Sequence, residues 1–87
     1  MNLSFRTDCP VPISDLISIV SGTIDRKHWE KVGITIGGEQ IVLKSDILEN
    51  LKEIDNGVSI VIKIPEEIYH IQTLLKARVM GILSPLR

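Results

Sequence analysis

The chain is 87 residues long, 44% apolar and 24% charged, the composition of one globular domain and not of a disordered segment. Ten Lys and Arg against eleven Asp and Glu leave a net charge of -1, so no overall field draws the molecule towards nucleic acid or acidic lipid. A single cysteine excludes an internal disulfide, and no Cys/His cluster has metal-ligand spacing.

Fifteen Ile, nine Leu and seven Val dominate the apolar fraction, and Phe5, Trp29 and Tyr69 are the aromatics. β-Branched residues favour strands and stiff packing, and so few rings leave little to stack on a base, a sugar or a cofactor. A chain this short buries roughly 60–65% of the surface it exposes when unfolded, so a homodimer is one expected source of added stability. Residues 1–6 carry neither the charged nor the apolar region of a signal peptide, and no apolar run approaches a membrane span. The expectation is a cytoplasmic protein with no membrane contact.

Residues 2–7 alternate, with Leu3 and Phe5 on one face and Asn2, Ser4 and Arg6 on the other, which predicts a half-buried strand. Pro10 and Pro12 end it. Ile13, Leu16, Ile17 and Val20 follow at helical spacing, with Pro12 in the first turn and Gly22 placed for a left-handed cap. Residues 23–30 carry mixed charge without a period and predict a connection. Val32, Ile34 and Ile36 then alternate up to Gly37-Gly38, and Ile41-Val42-Leu43 lies beyond. Two β-branched runs joined by Gly-Gly predict a tight hairpin, because primed turns need positive φ.

Ser45 is a good N-cap, and Ile47, Leu48, Leu51 and Ile54 form a stripe that predicts a second helix. Asp55-Asn56-Gly57 stops it. Val58, Ile60, Ile62 and Ile64 mark a further strand, ended by Pro65. Glu66 and Glu67 support the start of a last helix, whose buried stripe is Ile68, Ile71, Leu75, Val79 and Ile82. Lys76 and Arg78 are expected to complement its C-terminal dipole. The order βαββαβ plus a carboxy-terminal helix resembles a ferredoxin-like, split-βαβ sheet, so residues 1–87 are read as a single α+β domain.

The residues that carry chemistry are sparse, and neither a catalytic group nor a cofactor is expected. Cys9 lacks a partner two or three positions on, since position 12 is Pro, and nothing near it lowers a thiol pKa. His28 sits in a polar stretch and His70 on the helix face opposite Leu75, with no nucleophile motif beside either. Gly33, Gly37 and Gly38 lie within a hairpin, whereas a phosphate loop needs a helix N-terminus.

Two surfaces stand out. If the isoleucines point inward, the open sheet face holds Arg6, Lys31, Lys44 and Lys63 without a carboxylate, a candidate contact for nucleic acid or another polyanion. It lacks the aromatics on which single-strand binders stack bases. The last helix carries more apolar surface than one docking stripe needs: Tyr69, Leu74, Ala77 and Met80 remain over, with Trp29 as an anchor in the nearby loop. The leading expectation is therefore a non-enzymatic protein-interaction module, an adaptor, inhibitor or regulatory subunit. Polyanion binding comes second, and a small-molecule-sensing regulatory domain third.

Overall fold

β1 (Asn2–Arg6) and β6 (Ser59–Lys63) have the period-two pattern of strands with one wet face, and they pair antiparallel. Ser4 stands opposite Val61, and Phe5 opposite Ile60. The computed structural model describes residues 2–43 and 53–83. β3 (Gly33–Ile36) and β4 (Glu39–Val42) complete a four-stranded antiparallel sheet in the order β1-β6-β3-β4. Two short strands, β2 (Val11–Pro12) and β5 (Glu53–Ile54), pair with each other apart from it.

Between β2 and β3 lie α1 (Ile13–Thr23) and a 3-10 segment, Arg26–Lys31. After β6 come a second 3-10 segment, Glu66–Ile71, and α2 (Gln72–Leu83). No helix among the described residues is long and apolar enough to cross a membrane. α1 and α2 pack against each other, α2 also against β1 and α1 against β2. Leu16, Ile17 and Val20 from α1 and Leu75, Val79 and Leu83 from α2 join Leu3, Phe5, Ile34, Ile60 and Ile62 in one cluster. Each such aliphatic side chain, fully buried, stabilises the fold by about 1.5–3 kcal/mol.

The α+β class agrees with the sequence, but the ferredoxin-like strand order does not hold. That arrangement puts the first strand and the second hairpin strand at the centre. Here β6 and β3 are central while β1 and β4 form the edges. Composition accounts for the choice. Val61 half-buries between Ser59 and Lys63 on the outer face of β6, so this strand has an apolar residue at its middle on both sides. β1 shows Asn2, Ser4 and Arg6 outward, and β4 exposes Glu39, Gln40 and Val42, residues an edge tolerates.

The hairpin forms as expected, with Gly37 at φ 57° and Gly38 at φ 87° in a two-residue turn. Elsewhere there are local corrections. α1 runs past Gly22 to Thr23, whose hydroxyl donates to the Ile19 carbonyl at 2.8 Å. Residues 26–31 coil into the 3-10 segment instead of forming an open connection. The helix expected from Ser45 falls mostly outside the described residues, and Ile54, its expected last apolar residue, lies in β5 instead. The last helix begins with the 3-10 segment and breaks its regularity at Ile68, at φ -119° and ψ 23°.

Thr7 closes the end of β1. Its N–H donates to the Val58 carbonyl at 3.1 Å and its carbonyl accepts from the Gly57 N–H at 2.7 Å. Its hydroxyl donates to the Asp55 carbonyl at 2.7 Å and accepts from the Val58 N–H at 2.9 Å. Thr7→Val keeps the shape and strands a partly buried N–H, so unfolding free energy in urea is expected to fall by about 1–3 kcal/mol. Gly38→Val forces a β-branched residue into positive φ; a loss of about 1–2 kcal/mol is expected in the same assay.

Candidate functional site

α2 docks by one stripe. Leu75, Val79 and Leu83, spaced four apart, have no exposed surface, as side chains stacked along one helix face require. What they leave outside is still apolar. Leu74 is 49% exposed and Met80 42%, Ala77 is exposed between them, and Tyr69 in the preceding 3-10 segment is 41% exposed. Isolated exposed apolar side chains are ordinary. Several on one short helix make a patch of the kind that marks a contact surface.

Trp29 is half-buried. Its ring packs against the core, and its indole N–H donates to the Ile24 carbonyl at 2.8 Å. The Arg26 guanidinium lies 5.6 Å above the ring centre, within cation–π range. The side chain expected to anchor a partner also fastens the 26–31 segment to its own domain.

Of the four cations expected on the open sheet face, two are placed there among the described residues. Arg6 and Lys63 are on it, opposite Ser59 and opposite Asn2 and Gly33 respectively. They mark the two ends of β6, roughly 13 Å apart along the strands. Lys44 lies outside the described residues. Lys31 is a correction: it ends the 3-10 segment, and its Nζ donates to Glu67 Oε2 at 2.7 Å. Residues 26–31 coil with Trp29 packed partly on the core, and the coil takes Lys31 out of the strand's alternation.

That ion pair opens a second region, which the sequence did not indicate. His28 Nδ1 lies 3.8 Å from the same Glu67 oxygen. His28, His70 and Glu67 all line a cleft of about 250 Å³ over Ile24, Ile68 and Ile71. The two histidines, 42 positions apart in sequence, share a cleft only because the two 3-10 segments lie side by side. The cleft is smaller than the roughly 300–1,000 Å³ of typical ligand pockets. Among the described residues no group of three His, Cys, Asp or Glu could hold a metal ion. Cys9 is half-buried, with Sγ 3.9 Å from the Leu83 carbonyl oxygen.

The Lys31 hydrogen bond, assisted by the nearby charges of Lys31 and His28, holds the Glu67 carboxyl below its usual value. Comparison with protein-family models, with curated proteins and with solved structures finds no match.

A carboxyl lowered in the folded state contributes stability above the unfolded pKa and loses it as pH falls through the folded one. The stability difference between wild type and Glu67→Gln, followed by urea titration, is therefore expected to shrink as pH drops below the ordinary carboxylate value. Added salt at neutral pH is expected to shrink it as well.

Proposed function

We propose that this protein is a non-enzymatic interaction module, an adaptor, inhibitor or regulatory subunit working in the cytoplasm through the outer face of α2. The observation that carries this reading is the exposure of Leu74 and Met80 on a helix whose docking stripe is already fully buried. Water-exposed apolar surface contributes nothing to this domain, whereas about 25 cal/mol for each Å² covered by a partner stabilises a complex. Tyr69 extends the surface at the N-terminal end of α2 and brings a phenol able to bury its ring while bonding a partner.

The polyanion reading is weaker on the same geometry. Arg6 and Lys63 are the cations of the described open face, and they stand far apart without a ring between them for bases to stack on.

The test is a paired capture with wild-type protein and the double variant Leu74→Lys, Met80→Lys. Both positions face water, so the variant is expected to keep its melting temperature within a few degrees, since surface changes usually stay within about 0.5 kcal/mol. A protein retained by wild type and lost by the variant, with binding rebuilt from the two purified components, is the expected result. Retention of the same proteins by both forms would remove α2 as the contact face.

A further inference from the structure

α2 turns by roughly 100° per residue, which sets its exposed residues round the helix in the order Lys76, Met80, Thr73, Ala77, Gly81, Leu74, Arg78. Apolar and small residues form a stripe that holds one hydroxyl, Thr73, and each border carries one cation. The fold's own electrostatics do not account for these charges. The sequence suggested that they complement the helix dipole, but α2 has no basic residue in its last turn, and the dipole is felt only there. Neither cation enters an ion pair among the described residues. Arg78 offers Nη1 to the Thr23 hydroxyl at 3.3 Å, which places it on the border beside α1. The middle of the stripe is low: Ala77 is small, and a Cβ added at Gly81 meets nothing within 4 Å.

Taking α2 as the contact face proposed above, we infer that its occupant is an amphipathic helix with acidic residues on both sides of its apolar seam. The low centre admits a second helix axis at close range, and the bordering cations stand where charges flanking a coiled-coil seam select partner and direction. A second copy docking α2 against α2 sets Lys76 and Arg78 among like charges, because no carboxylate occurs between Gln72 and Leu83. That arrangement is repulsive and disfavours the homodimer through this face. An anionic membrane also attracts cations, but the stripe offers it only Leu74 and Met80 to insert, little apolar area for interfacial binding.

The experiment uses the full chain and two fluorescent synthetic helices of about three heptads, with leucine seams flanked by glutamate in one and lysine in the other. Fluorescence anisotropy is expected to show the glutamate helix binding about tenfold or more tighter at low salt, with the preference fading as salt rises. Charge reversal by Lys76→Glu with Arg78→Glu is expected to invert the preference, and Leu74→Lys with Met80→Lys to abolish binding of both peptides. Equal affinity for the two peptides, or binding of neither, overturns the acidic-helix assignment. So does association with phosphatidylglycerol vesicles at lower concentration than with the glutamate helix. The paired capture then still decides by itself whether α2 is a protein-contact face.

Discussion

The antiparallel register between β1 and β6 governs most of what this molecule presents, and Thr7 fixes that register. Thr7 is the polar residue taken inside among the described residues, and its hydroxyl and both backbone groups bond to residues 55–58. A slip of β1 by one residue against β6 would carry Leu3 and Phe5 to the wet face together. Hydrogen bonds that would be modest at the surface matter here because a buried donor left unmade costs its whole desolvation. The turn through Gly57, at φ 76°, meets Thr7 from the other side and aims the chain into β6.

From this register the two sides of the sheet acquire different roles. Its inner face meets the helical core, and Ile34, Ile60 and Ile62 lie at the centre with no exposed surface. Its outer face remains polar and thinly charged. α2 contacts β1 and α1 together, which consumes the Leu75, Val79 and Leu83 stripe and leaves the opposite side of the helix outward. The Lys31–Glu67 pair bridges the two 3-10 segments, and the coil of residues 26–31 keeps Lys31 out of the sheet. The apolar surplus therefore falls on one helix face, and the basic character of the sheet is diluted.

Much of this was legible in the residues. The Gly37-Gly38 turn, the inward phase of Leu3, Phe5, Ile34, Ile60 and Ile62, and the exposure of Leu74, Ala77 and Met80 all follow from periods that the local chain imposes. The 3-10 segment at 26–31 was not legible. There Trp29 packs partly on a core assembled from distant residues, a non-local contact that weak local preference does not reveal. Nor was the pairing of β5 with β2, two residues each, too short to carry a period. Lys76 and Arg78 were visible as charges, but their meaning depended on where the helix ended.

By itself the sequence determined the types of the longer elements it shares with the described structure, the faces that turn inward and the apolar excess of the last helix. Each is a matter of spacing over a few neighbouring residues, set by backbone geometry alone. Tertiary structure decided which strands take the centre, that Trp29 packs partly on the core, that Lys31 meets Glu67, and that His28 and His70 share one cleft. Those outcomes compare burial and charge between segments far apart along the chain, and only the closed fold brings such segments within reach of one another.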